Sequence, residues 1–478
     1  MKGSLEGRIK AICSEVLRRT RPGREERLKT LRFVESLVDR LRSRLQAAGL
    51  EVDVEVQGSV AKDTWLAGEK DIDVFMMVPK VYGRAGFKRV LEVAKEVAGS
   101  SFIEAYAEHP YIQAEMDGYT VDFVPCFKVR SALEACSSVD RTPLHTQYVK
   151  GKLDERFKDE VRLLKRFMKG IDVYGAEIKV GGFSGYLCEI LTLHYGGFIE
   201  TLRAASRWRR RELIDHEGYY RGRENEALKI FHDDALIVID PVDERRNLAS
   251  SIRDTKLNEF IAAAREFLNR PSIEFFYPGE VRPIPVDSLV RGLTLRGSSI
   301  VFLRFRVDGL VPDVLWGQLY KSERAIRNLI LSYDFKIIRS RVWSDDRENA
   351  VILYELDSHL LPPVKRHVGP PIDKREDCGR FLSKYLGAEE TVSGPWIEGD
   401  RWVVEVRRRY RDVIELLRDK LADGGIEVGV ARQISEAMAG SLEVLLNGEI
   451  AEFYRSSHDF AVFLTEYLRG KPRWLSRS

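Results

Sequence analysis

Apolar residues recur at helical spacing from about residue 10 to residue 50, as in Leu31, Val34, Val38, Leu41 and Leu45, and predict an amphipathic helical stretch that Gly49 ends. EVDVEVQG then alternates with period two, as a strand does. A Gly-Ser turn, a short helical TWL segment and a second strand, DIDVFMMVP, follow. Next come an amphipathic helix near residues 87–97 and two strands near 111–116 and 120–125, joined by the hairpin signal Asp117-Gly118. From residue 155 to about 210 the pattern is helical, interrupted by Gly181, Gly182 and Gly185. An apolar run after Leu236, a turn at Pro241 and a helix near 257–268 lead to a boundary at Pro271. Beyond it, strand (300–307), helix (315–331), strand (336–343) and strand (350–356) suggest a small βαββ unit. PPVKRHVGPP reads as a loop, and the last ~90 residues mix strands and helices. The fold class is α+β, with three expected domains at 1–150, 151–270 and 271–478.

Composition narrows the class. Hydrophobic residues make up 44% and charged residues 32%, as in an ordinary folded protein. Lys plus Arg total 77 against 74 Asp plus Glu, a net charge of +3, so any polyanion must be met by a local basic surface. Cys13, Cys126, Cys136, Cys188 and Cys378 show no CxxC pair, which argues against a zinc site or a disulfide framework and for free thiols in a reducing compartment. The opening MKGSLEGRIKAICSEVLRRT mixes acids and bases and reads as a helix, not a signal peptide. With no long apolar run, the expectation is a cytoplasmic protein without membrane partners.

The chemistry concentrates in Gly58-Ser59-Val60-Ala61-Lys62, followed by Asp71-Ile72-Asp73. Strand residues two apart share a face, so Asp71 and Asp73 project together, ~7 Å apart at Cα. Ile72, Val74, Met76 and Val78 occupy the other face and are expected to pack on a core. Paired carboxylates on an apolar strand repel unless a cation bridges them, and magnesium takes such oxygen ligands. Asp122, in the apolar strand TVDFV, completes the set if the two strands are neighbours. Such a triad can hold two Mg²⁺ ions ~3.5–4 Å apart. A lone DxD is commonly a pair of surface acids. The preceding Gly-Ser, whose backbone can approach a phosphate closely, makes the combination specific.

GSVAKDTWL, DIDVF and VDFVP together resemble the signature of the nucleotidyltransferase superfamily that includes poly(A) polymerases and DNA polymerase β. The version here is similar to that of archaeal-type (class I) CCA-adding enzymes. The likeness continues through DRTPLH, EVRLLKRFMK, VYGAEIKVGGFSGYLCE and IDPVDERRNLA, covering most of the first 250 residues strongly. It implies a polymerase β-like catalytic head, a helical central nucleotide-binding domain and a C-terminal α+β body and tail that binds RNA. It also implies template-independent addition of C, C and A to a tRNA 3′ end from CTP and ATP. In that resemblance Asp71, Asp73 and Asp122 bind metal, and Ser59 and Lys62 contact the triphosphate. Thr142, His145, Lys165 and Tyr174 surround ribose and phosphates, and Arg246 helps read the base. Relatives often carry arginine where this chain has Lys62, which keeps the charge but loses the forked geometry.

On the residue pattern alone four of these five flanking positions stay open. Lys165 fits a snorkelling lysine, Tyr174 a core cap, His145 a satisfied structural histidine, and Arg246 a local ion pair within Asp243-Glu244-Arg245-Arg246. Ser184 can cap the helix after GGF, whose N-terminus attracts anions. Basic clusters at 207–211, 339–341, 365–367 and 407–411 suit phosphate contact; any one of them reads first as a solvated face, and together they suggest a track for a long RNA such as tRNA. Glu376-Asp377-Cys378-Gly379-Arg380 matches the EDxxR of class II CCA-adding enzymes, but without an RRD partner it reads as coincidence. The alternatives are another RNA terminal transferase, such as a poly(A) polymerase or an oligoadenylate synthetase, and a non-catalytic RNA-binding relative. A homodimer stays open.

Overall fold

The computed structural model describes residues 2–106 and 109–475. The chain forms two compact units, Met1–Glu280 with Lys471–Ser478, and Val281–Gly470. Residues 1–150 and 151–270 thus share one unit.

The first unit opens with two helices, α1 (Lys2–Thr20) and α2 (Arg24–Ala47), where the apolar pattern predicts one stretch. Pro22 disfavours a helical Arg21, and Gly23 is extended at the start of α2. Then come β1 (Asp53–Gln57), α3 (Gly58–Lys62), β2 (Asp71–Val78), α4 (Gly83–Ala98), β3 (Phe102–Tyr106), β4 (Pro110–Met116) and β5 (Tyr119–Phe127). Gly58-Ser59, expected as a turn, starts α3. The sheet order is β1-β2-β5-β4-β3, with β2 and β5 parallel and the other pairs antiparallel. The Asp117-Gly118 hairpin has φ of 51° and 80°, the positive pair a two-residue turn needs. Ile72, Val74, Met76 and Val78 pack with Val121 and Phe123 against Leu41 of α2 and Val90 and Ala94 of α4. The opposite face is left for chemistry.

The chain continues through α5 (Thr142–Lys152), α6 (Glu155–Gly170), α7 (Gly185–Tyr195), α8 (Phe198–Ala205), β6 (Glu212–Ile214), α9 (Glu224–Ile230), β7 (Leu236–Asp240), β8 (Asp243–Asn247) and α10 (Asp254–Asn269). Helices α6, α7, α8 and α10 enclose an aromatic core that includes Phe167, Phe183, Phe198, Phe260 and Phe267. Trp474 stacks on Phe275 of that core at 5.4 Å, so the chain's end belongs to this unit. No helix among the described residues is long and apolar enough to cross a membrane.

The second unit holds α11 (Val286–Leu295), then β9 (Ser299–Arg306), α12 (Pro312–Ser332), β10 (Ile337–Ser344) and β11 (Asn349–Leu356), the βαββ order that the sequence predicts. After it come β12 (Val364–Pro371), α13 (Arg375–Tyr385), β13 (Thr391–Glu398), β14 (Arg401–Arg407), α14 (Val413–Lys420), α15 (Arg432–Ser441), β15 (Glu443–Leu446), α16 (Ala451–Ser456) and α17 (His458–Arg469). The antiparallel sheet β10-β11-β9-β15 is covered on both faces, and β9 alternates accordingly. Val301, Leu303 and Phe305 meet Leu319 and Ile330, while Ile300 and Phe302 meet Leu293 and Phe460. VKRHVGPP, expected as a loop, is strand β12 of a second sheet, β12-β14-β13. Its prolines fall at the strand end, where the register with β14 shifts between Val368 and Pro371, so few ladder bonds are lost. Glu376 to Arg380 lies in α13, with Arg380 paired to Asp377. Several cluster cations already have acid partners: Lys365 and Arg408 on Asp334, Arg366 on Glu398.

Glu355 gives this unit a pH dependence. Its side chain is 2% exposed and accepts hydrogen bonds from Arg296, from Ser298 at 2.7 Å and from Arg339 at 2.7 Å. Burial alone would raise its pKa, yet these donors bring it down to about 2 from the ordinary 4.5. A lowered carboxylate pKa stabilises above the unfolded value and loses that contribution as pH falls from 4.5 toward 2. Glu355→Ala should cost ~2–3 kcal/mol near neutral pH, below the ~3–5 kcal/mol of a fully buried pair because both guanidiniums keep some water. Urea unfolding of the full chain between pH 2 and 7 checks this. The variant's deficit should shrink steadily below pH 4.5, and a deficit independent of pH would refute the assignment.

Candidate active site

Strands β2 and β5 run side by side in a register that pairs Asp73 with Asp122 and Asp71 with Thr120. The three carboxylates therefore share one face and one end of the sheet, as the sequence predicts. Their mutual cost is visible in their protonation. Asp73 is pushed up to about 6, first by burial and then by Asp122. Asp71 is raised by burial and Glu69, and Asp122 by burial, partly offset by a 2.8 Å hydrogen bond from Gln113. Gly58 sits against this cluster with φ +68°, and a Cβ there would lie 1.9 Å from Asp73 Oδ2. The glycine is a steric requirement of the carboxylate site. Half-buried Ser59 follows it in the first turn of α3.

Uncompensated negative charge on oxygen ligands, partly withdrawn from water, is a donor set that fits a magnesium ion. Among the described residues no group of three or more His, Cys, Asp or Glu side chains is gathered closely enough to hold a metal ion. The fit rests on the shared sheet edge and the strained protonation.

A cleft of about 520 Å³ adjoins the carboxylates. Phe75, Asp122 and Val124 form its sheet wall, Thr142 and His145 of α5 another, Ser184 and Tyr186 at the start of α7 a third, and Arg246 of β8 the last. Four predicted residues, Asp122, Thr142, His145 and Arg246, thus meet in one cavity. Thr142 and Pro143 open α5, which sets His145 in its first turn. Ser184 caps α7 by accepting from the Leu187 amide at 3.1 Å.

Lys62, Lys165 and Tyr174 lie behind that wall. Lys62 Nζ is 2.6 Å from Glu189 Oε2, and Lys165 Nζ is 3.6 Å from Glu189 Oε1. Thr64 donates to Glu189 at 2.8 Å and accepts from Lys165 at 3.0 Å. Lys165 is not a snorkelling lysine: its side chain is 2% exposed, and burial lowers its pKa. Burial alone would raise Glu189, but Lys62 and Lys165 pull it down. Gly185 lets Tyr174 and Lys165 come close, since a Cβ there would meet Tyr174 Oη at 2.9 Å and Lys165 Cε at 3.5 Å. Arg246 does take the expected ion pair, but with buried Asp240 at 3.5 Å and not within its own acidic run.

Tyr186, Glu189 and Asp240 carry no expected role from sequence. Glu189, four residues beyond Gly185 in an apolar helix, and Asp240, ending the run Leu236–Asp240, were detectable only as acids inside buried segments.

Residues 34–145 match the nucleotidyltransferase domain family, 159–277 the second domain of tRNA nucleotidyltransferase, and 296–447 the C-terminal domain of CCA-adding enzyme. The CCA-adding enzyme of Methanosarcina barkeri is 37% identical over 457 residues, covering 95% of this chain and 97% of its own. Those of Haloarcula marismortui and Methanopyrus kandleri are each 34% identical over 97% of this chain, covering 99% and 98% of theirs. With similarity along the full length and matches to all three family models in agreement, the chain belongs to the archaeal-type CCA-adding enzymes, tRNA nucleotidyltransferases with a nucleotidyltransferase domain at residues 34–145.

Proposed function

We propose that the cleft beside Asp122 receives CTP and ATP in turn, and that the chain adds C, C and A to a tRNA 3′ end without a nucleic-acid template. The observation that carries this is the pairing of Asp73 with Asp122 across parallel strands, beside a cavity lined by His145, Tyr186 and Arg246. The RNA 3′-hydroxyl attacks the α-phosphorus, a new 3′-O–P bond forms, and the bond to the β-phosphate oxygen breaks to release pyrophosphate. Asp71, Asp73 and Asp122 would hold divalent metal, two Mg²⁺ ions during catalysis, which supplies activation of the hydroxyl and neutralisation of the triphosphate.

The chain's own residues position the reactants. Lys62 and Lys165, tied to one Glu189, leave a net positive charge behind the cleft wall for the triphosphate. Ser59 meets the triphosphate, Thr142 and His145 surround the ribose and phosphates with Tyr174 backing them from behind the wall, and Arg246 meets the base edge. No covalent enzyme intermediate is needed, since positioning and fixed charge supply the catalysis.

The test is incorporation of labelled CTP and ATP, separately and together, into a tRNA transcript lacking its CCA, with magnesium and with chelator. The expected result is magnesium-dependent addition of two C and one A, then arrest. Long A-tracts without C would place the chain among poly(A)-forming transferases, and no incorporation would leave an RNA-binding relative.

A further inference from the structure

Asp240, at the end of β7, has no role in the mechanism above, yet it is 0% exposed and four donors converge on it. His145 Nε2 lies 2.9 Å from Oδ2, and an Arg246 guanidinium nitrogen lies 3.5 Å from the same oxygen. The Tyr186 hydroxyl donates to Oδ1 at 3.3 Å and the Val242 amide at 3.1 Å. His145, Tyr186 and Arg246 all line the cleft. The rings of His145 and Tyr186 also stack, 4.1 Å apart and 22° from parallel. One buried carboxylate therefore holds three of the cavity's walls.

The chemistry of the pair constrains the imidazole. An ionised carboxylate accepts only, so in a neutral ring Nε2 must carry the proton and Nδ1 must be an acceptor. Burial drives the His145 pKa below its ordinary value of 6.5 more strongly than Asp240 raises it, and Arg246 and Lys62 add to the lowering, so the ring is neutral near pH 7. Among the described residues Nδ1 has no protein partner.

We infer that Asp240 is a positioning residue that fixes His145 in its Nε2–H tautomer, so that Nδ1 offers the bound nucleotide a single hydrogen-bond acceptor. The inference rests on the cleft being the CTP and ATP site. An acceptor at that place selects a donor on the substrate. Three groups qualify: the ribose 2′-hydroxyl, the ribose 3′-hydroxyl, and the exocyclic amine that cytosine and adenine carry and uracil replaces with a carbonyl.

Asp240→Asn tests this. The amide can donate to Nε2, which turns the imidazole to Nδ1–H and puts a donor where the acceptor stood. Steady-state addition to tRNA lacking CCA should then show a fall in kcat/KM for CTP and a loss of roughly fivefold or more in one discrimination ratio. A fallen ratio of CTP over dCTP identifies the 2′-hydroxyl, of CTP over 3′-dCTP the 3′-hydroxyl, and of CTP over UTP the amine. If none of the three ratios moves by more than twofold in an active variant, the inference is overturned. A second measurement does not depend on the Asn variant and is read on the wild-type chain. Imidazole ¹⁵N shifts of the wild-type chain, assigned with His145→Gln, should show Nε2 protonated, and an Nδ1-protonated ring would overturn it. A wild-type chain that adds neither C nor A would instead refute the nucleotidyltransfer reading itself.

Discussion

Asp73→Asn is expected to remove CCA addition, lowering the single-turnover rate at least ~10³-fold, or about 4 kcal/mol in the barrier, while raising the thermal midpoint measured in chelator. The two effects have one cause. Asp73 faces Asp122 directly in register, and both are raised above the ordinary carboxylate pKa chiefly by burial. A pair of like charges in that position opposes folding, so neutralising one of them relieves repulsion without altering shape. The same charge would hold the divalent metal that neutralises the triphosphate, so stability and activity should move in opposite directions. Asp122→Ala should abolish transfer equally and leave tRNA binding nearly intact. Single-turnover assays with saturating nucleotide, together with calorimetry in chelator, read both quantities. Activity within tenfold of wild type in either variant would remove these carboxylates from the reaction.

How much of this was legible beforehand depends on whether a residue's partner lies within its own element. Asp71, Asp73 and Asp122 were readable because each interrupts an apolar strand with a charge, and strand periodicity puts the charges on one face. The neighbouring of β2 and β5 was only a condition on that reading, and the structure supplies it. The core-facing set Ile72, Val74, Met76 and Val78 was legible for the same reason, and the structure packs it on α2 and α4.

What escaped was long-range or masked by composition. β12 carries Gly369 and two prolines, which read as a loop, and only its pairing with β14 makes it a strand. β3 follows the turn at Gly99-Ser100-Ser101 but spans only five residues, and its pairing with β4 makes it a strand. The contacts of Lys62 and Thr64 with Glu189 span 127 and 125 residues. No local pattern distinguishes Lys165 on α6 as a buried cation from a snorkelling one, because the deciding partner sits on another helix. His145 shows how two readings of one residue merge. It is a satisfied histidine, bonded to Asp240, and it also lines the cleft.

Glu189→Ala is expected to be the most destabilising single change in the first unit, costing ~3–5 kcal/mol and lowering the thermal midpoint by several degrees. Glu189 is 0% exposed and neutralises Lys62 and Lys165, whose side chains are 7% and 2% exposed. Its removal leaves two buried ammonium groups close together, short of counter-charge and unable to reach water. Nucleotide addition should fall as well, because both lysines lose the contact that holds them behind the cleft. The origin of the instability is separable from the loss of activity. Adding Lys165→Met to Glu189→Ala removes one of the stranded cations and replaces it with an apolar chain of similar length. The double variant should recover at least half of the lost stability and yet stay inactive, because the proposed function assigns Lys165 to the triphosphate. Additive losses in the double variant would mean that the three charges do not form a coupled set, and that the wall behind the cleft is held by packing alone.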